Sequence, residues 1–192
     1  MPRVFLIGLD GLEPSLTERW MDEGRLPNLA ALRDRGAYLH CRSTVPNATF
    51  PAWATCVTGV NPGRHGIADF TELLHAEQRV RFVNSTFRTA PAIWNVLSNA
   101  NKRVCILGVP GTYPPEPVNG IMVSGFDSPV ATAVDRSFVH PPELFPDVKD
   151  WRFADIDESH IDDQWHAAAF EKIHDKLEDK ARIATALANP DF

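Results

Sequence analysis

The chain has 192 residues, 44% of them hydrophobic and 23% charged, which supplies the core of one ordinary domain and excludes general disorder. Lys plus Arg number 19 against 25 Asp plus Glu, a formal charge of −6, so neither a nucleic acid polymer nor an anionic membrane is an expected partner. Cys41, Cys56 and Cys105 stand in no C-x-x-C spacing, which argues against a disulfide framework or a thiolate metal site and for a reducing, cytoplasmic compartment.

In chain order, residues 4–9 form a continuous β-prone run that ends at Asp10 and Gly11, the pattern of a buried parallel strand with a polar group at its carboxyl end. The run is too short for a signal h-region or a membrane span. Ser15 is placed to cap a helix through about residue 22, and Pro27 opens a second one that Gly36 stops. Residues 38–45 read as a second strand. Pro51 suits the first turn of a helix closed by Gly59 and Pro62, which sets Thr49 at a helix N-terminus. A short strand over 79–83, an amphipathic helix over 91–100, and strands over 104–109 and 121–123 follow. From 161 to 187, Trp165, Ala169, Ile173, Leu177, Ala181, Ala184 and Leu187 recur every three or four residues, predicting one long helix.

Strands alternating with helices predict an α/β fold with a mainly parallel sheet and helices on both faces, in which ligands collect at the carboxyl ends of the strands. Asp10 and Thr49 are expected there, close together. The long helix runs into Asn189-Pro190-Asp191-Phe192 with no strand after it, so the sheet is expected to be incomplete. Residues 1–192 then form one N-terminal part of a domain without an internal boundary. The stripe of Trp165, Ala169, Ile173 and Leu177 is expected to be partly buried and prone to self-association.

Asp10 is a good hard ligand for a divalent cation, and equally a turn former or helix cap. The Thr49 hydroxyl becomes a nucleophile only if a metal or base lowers its pKa; read alone, it is as well an N-cap. Among the histidines, His65 reads as structural within a Pro-Gly-Arg-His-Gly turn. His160, His166 and His174, with Asp157, Asp162, Asp163 and Asp175, read as solvated surface, and Trp53, Trp94 and Phe126 as core.

Three ordered segments narrow these alternatives: Ile7-Gly8-Leu9-Asp10-Gly11, then Thr49-Phe50-Pro51-Ala52-Trp53-Ala54-Thr55, then Asn61-Pro62-Gly63-Arg64-His65-Gly66-Ile67. Together they resemble the type I phosphodiesterase/nucleotide pyrophosphatase family of the alkaline phosphatase superfamily, and the resemblance extends over nearly the whole chain. It implies an alkaline phosphatase-like fold and a metal-dependent phosphohydrolase acting on phosphodiester or pyrophosphate bonds of small molecules or nucleotides. It also implies two divalent metal ions, zinc as first choice and manganese as second. On the family pattern Asp10 is a metal ligand, and Thr49 is both a metal ligand and the nucleophile that is transiently phosphorylated.

Family members carry an Asn shortly after the His-Gly-Ile turn, where this chain has Ala68-Asp69-Phe70-Thr71. Phe70 cannot donate a hydrogen bond to phosphate, so either Asn47 or Asn84 takes that role or the preference for nucleotide diesters does not carry over. The family's remaining Asp and His ligands have no counterpart in these residues. That shortfall predicts weak zinc binding and no phosphodiesterase activity for the 192 residues alone. The alternative is a non-catalytic binding or regulatory fragment that retains the fold and half of the site.

Overall fold

A computed structural model of the chain describes residues 4–74, 78–125, 135–149 and 163–187. These divide into two compact units, Met1–Ser43 and Thr44–Phe192.

The first unit is built on α1 (Pro14–Asp22) and α2 (Pro27–Arg35). Both open on proline, whose missing N–H costs nothing in a first helical turn. The cap of α1 is Glu13, not Ser15: its carboxylate accepts from the Ser15 and Leu16 amides at 3.1 and 2.5 Å. A longer acid one step before the proline reaches the free N–H groups that a serine inside the helix cannot. Arg33 bridges the two helices to Asp22 at 2.9 Å. The expected strands over 4–9 and 38–45 do not form; both stretches are irregular. A parallel strand needs a neighbour to complete its ladder, and the described residues of this unit supply two short helices and no strand. Val4, Phe5, Leu6 and Ile7 are accordingly exposed.

The second unit begins with α3 (Thr49–Thr58), closed by Gly59 in the left-handed conformation, and the single turn α4 (Pro62–His65). The antiparallel hairpin β1 (Thr71–Leu74) and β2 (Arg79–Phe82) pairs Thr71 with Phe82 and Leu73 with Val80. Then come α5 (Ile93–Asn99), β3 (Val104–Val109), β4 (Gly120–Ser124), β5 (Val139–His140), α6 (Phe145–Val148) and α7 (Asp163–Leu187). Strands β3, β4 and β5 form one sheet in that order, parallel in the first pair and antiparallel in the second. The fold is α/β, with a mixed sheet where a mainly parallel one was expected. The two-residue β5 was not foreseen because so short a pairing leaves no periodicity to read.

Alternation along the strands assigns the two faces. Ile106 of β3 and Met122 of β4 pack with Val57 of α3 and Trp94 of α5. Ile121 and Val123 of β4 pack on the other side with Val148 of α6 and with Ile183 and Leu187 of α7. Helices therefore cover both faces, and burying each large apolar side chain contributes about 1.5–3 kcal/mol. Gly120 is required where β4 starts: its φ is 144°, and a Cβ there would stand 1.9 Å from the Val104 carbonyl oxygen.

The stripe along α7 is only partly covered, as expected: Ala169 is buried and Trp165 half-buried, while Ile173 and Leu177 are exposed. Among the described residues no helix is long and apolar enough to cross a membrane.

Candidate active site

Helix α3 sets the geometry around Thr49. Ala48, extended at φ −89° and ψ 161°, is the N-cap, Thr49 is the first helical residue, and no side chain caps the helix. The first intrahelical bond runs from the Ala52 amide to the Ala48 carbonyl at 3.1 Å, and Pro51 contributes no N–H to the open turn. The structure therefore overturns the capping reading of Thr49. A side-chain oxygen at the cap position folds back to the second or third amide, whereas one at the first helical position does not. Thr49, a half-buried residue, has its hydroxyl at the positive end of the helix dipole, where negative charge is favoured.

Phe50 is buried with Ile67 and Val83, and Ala54 and Phe87 pack against them. Phe70 lies on it, ring centroids 4.3 Å apart at 38°. Phe50, Asn84, Arg88, Trp94 and Thr112 line a cavity of about 20 Å³, room for about one water and far too small for a substrate. Asn84 is committed through its side-chain oxygen, which accepts from the Thr86 amide at 2.9 Å and the Thr86 hydroxyl at 2.7 Å. Asn47 is exposed two residues before Thr49.

His65 is fully buried. Its Nδ1 accepts from the Ile67 amide at 3.1 Å, and its Nε2 lies 3.0 Å from the Thr55 hydroxyl. Burial pushes its pKa below the ordinary histidine value; a hydrogen bond to the Pro51 carbonyl opposes this, and the Arg88 guanidinium reinforces it. With both ring nitrogens engaged inside the protein, His65 is structural, as its turn motif suggested.

Asp10 is exposed at a turn completed by Gly11 at φ 69°, and it follows irregular chain instead of the expected strand. It belongs to the first unit and Thr49 to the second. Among the described residues no group of three or more His, Cys, Asp or Glu could hold a metal. His174 is exposed beside Glu178 at 3.8 Å. His160, Asp157, Asp162 and Phe126 lie outside the described residues. None of the three cysteines is paired.

The sequence reading missed a polar cluster behind the cavity. Arg88 forms an ion pair with Glu116. That carboxylate also accepts from the Asn95 amide at 2.6 Å and from the Trp94 indole at 3.4 Å. The guanidinium lies 5.6 Å from the Trp94 ring centroid. Partners separated by 21 to 28 positions leave no local pattern, so no sequence signal could have paired them. Trp94 is core, as expected.

Compared with known proteins, the chain matches the family model described as type I phosphodiesterase / nucleotide pyrophosphatase over residues 4–192. It belongs to that family. The chain is also 31% identical over 97 residues to "Ectonucleotide pyrophosphatase/phosphodiesterase family member 3" of Mus musculus. That match covers 50% of this chain and 11% of the mouse protein. No solved structure matches significantly.

Proposed function

We propose that the whole protein is a metal-dependent phosphohydrolase of phosphodiester or pyrophosphate bonds, with an alkaline phosphatase-like fold and Thr49 as nucleophile. The observation that carries this reading is the Thr49 hydroxyl at the start of α3, not spent on capping, in a chain that matches the family from residue 4 to residue 192. A hydroxyl at that position meets a phosphoryl group with the positive end of the helix dipole behind it.

Asp10 and Thr49 are hard oxygen donors, and their chemistry fits a divalent cation, zinc first and manganese second. They would supply two donors of a larger set. When bound, the metals would lower the pKa of the Thr49 hydroxyl and offset phosphoryl charge.

In the first step the Thr49 Oγ bonds to phosphorus while the bond to the ester oxygen breaks, and the leaving alcohol takes up a proton. In the second, water attacks the phosphothreonine, the bond from phosphorus to Oγ breaks, and Thr49 regains its proton. Asn47 and the amide nitrogen of Asn84 are the proposed phosphate donors. The substrate is a small phosphodiester or nucleotide in a reducing, cytoplasmic compartment, and the exposed residues of α7 provide for self-association.

The test is hydrolysis of bis(4-nitrophenyl) phosphate by the whole protein and by Thr49→Ala. Turnover should fall at least about a thousandfold, as losing a covalent nucleophile does elsewhere. Wild-type turnover in the variant would remove Thr49 from the chemistry.

A further inference from the structure

We infer that His65 is a positioning residue: held inside the corner between α3 and α4, its imidazole fixes the first turn of α3 and, through it, the place of the Thr49 hydroxyl. This rests on the reading of Thr49 as nucleophile and names the group that holds it.

The ring reaches α3 at the Thr55 hydroxyl, 3.0 Å from Nε2. Pro51 and Thr55 are four apart and share one face of the helix, so the imidazole is hydrogen-bonded on the face whose upper end lies two residues from Thr49. On the other side, Nδ1 accepts from the Ile67 amide at 3.1 Å. Ile67 in turn packs with Phe50, the residue after Thr49.

The backbone of this corner is also pinned. The His65 carbonyl accepts from the Thr89 amide at 3.0 Å, and the Thr89 hydroxyl donates to the Arg64 carbonyl at 2.8 Å. Gly66 turns the chain at φ 81°, and a Cβ there would meet the Phe87 carbonyl oxygen at 3.3 Å.

An acceptor at Nδ1 assigns the proton to Nε2, so the neutral ring donates toward α3 and accepts from Ile67. An apolar side chain of the same size would leave the buried Ile67 amide unpaired and release α3. The imidazole has two separable arms, and each can be kept without the other. In His65→Gln the side-chain NH₂ stands near the Nε2 position and keeps the arm to α3. In His65→Asn the oxygen stands near Nδ1 and keeps only the arm to Ile67.

The experiment compares both variants in the full chain by amide hydrogen exchange at Ala52, whose bond to Ala48 closes the first turn. In the whole protein, kcat and KM for bis(4-nitrophenyl) phosphate are then measured. Ala52 should keep its protection in the Gln variant and lose about tenfold or more in the Asn variant, the effect of one lost hydrogen bond. The value of kcat should fall further for Asn than for Gln at similar KM. Equal protection in the two variants would overturn the inference. A split in protection without a split in kcat would also overturn it. If the exchange pattern appears while Thr49→Ala retains turnover, the nucleophile assignment fails and the anchoring of α3 stands.

Discussion

Phe70 rests on Phe50 with ring centroids 4.3 Å apart and planes inclined at 38°, so the residue after Thr49 is roofed by an aromatic ring where the family's amide donor is expected. Phe70 itself is part-exposed, at 36%, and it leaves an apolar surface beside the proposed nucleophile.

Replacing Phe70 by Asn exchanges that surface for a donor. A tilted aromatic pair contributes about 0.5–1.5 kcal/mol beyond area burial, so Phe70→Asn should lower unfolding stability by about 1 kcal/mol or more. One phosphate hydrogen bond is worth about 1 kcal/mol. The value of kcat/KM for a nucleotide diester and for an aryl diester alike should therefore rise roughly fivefold. Steady-state kinetics with both substrates measures it. An unchanged kcat/KM excludes position 70 from contact with the phosphate.

Met122 is fully buried in β4, between Ile106 of β3 and Trp94 of α5, and its neighbours Ile121 and Val123 point to the opposite layer. Met122→Ala empties a site that strands and helices enclose on every side, and it should cost about 2–5 kcal/mol. Val80→Ala, on the exposed face of the β1–β2 hairpin, should stay within about 0.5 kcal/mol. Urea denaturation of the two variants separates them. Equal losses would mean that β4 is not the centre of the core.

The same two positions show what could be read without a structure. Runs such as 104–109 and 121–123 announced β3 and β4 because apolar β-branched residues in sequence suit a strand covered on both faces. Proline and glycine punctuation placed α2 and α3 to within a residue or two. The run over 4–9 is as apolar and glycine-punctuated as β3 and forms no strand, because pairing is a property of two segments and composition describes one. Thr49 was legible as a helix start. Its neighbours were not: Phe70 on Phe50, and Arg88 with Glu116, arise from contacts between distant segments that carry no periodic signal.

His65 also makes stability depend on pH. Burial pushes its pKa below the ordinary value of 6.5, the ring's bond to the Pro51 carbonyl opposes the shift, and Arg88 adds to it. The unfolded chain then binds the proton more readily than the folded one, so stability rises with pH. The contribution is complete above about pH 6.5 and is lost as the pH falls from there toward the lower folded value. Urea midpoints at pH 7.5 and 5.5 should show the fall in the wild type and a smaller one in His65→Gln, which has no imidazole to charge. Parallel pH curves for the two proteins would assign the acid loss to other groups.

As proposed metal donors, Asp10 and Thr49 would make different demands on a cation, and two substitutions tell them apart. The Asp10 carboxylate would hold a cation by charge, so Asp10→Asn keeps the shape, removes the charge, and should weaken zinc binding by more than about tenfold. Thr49 has a neutral hydroxyl, whose loss should lower turnover far more than it lowers affinity. Thr49→Ser retains the oxygen without the methyl group and should keep part of the rate. Zinc calorimetry and turnover of an aryl diester, both on the whole protein, give two numbers for each variant. The expected pattern is affinity lost in Asp10→Asn, rate lost in Thr49→Ala, and both partly kept in Thr49→Ser. If Asp10→Asn binds zinc like the wild type, the exposed carboxylate at the Gly11 turn is a turn former, and the metal ligands must be sought elsewhere.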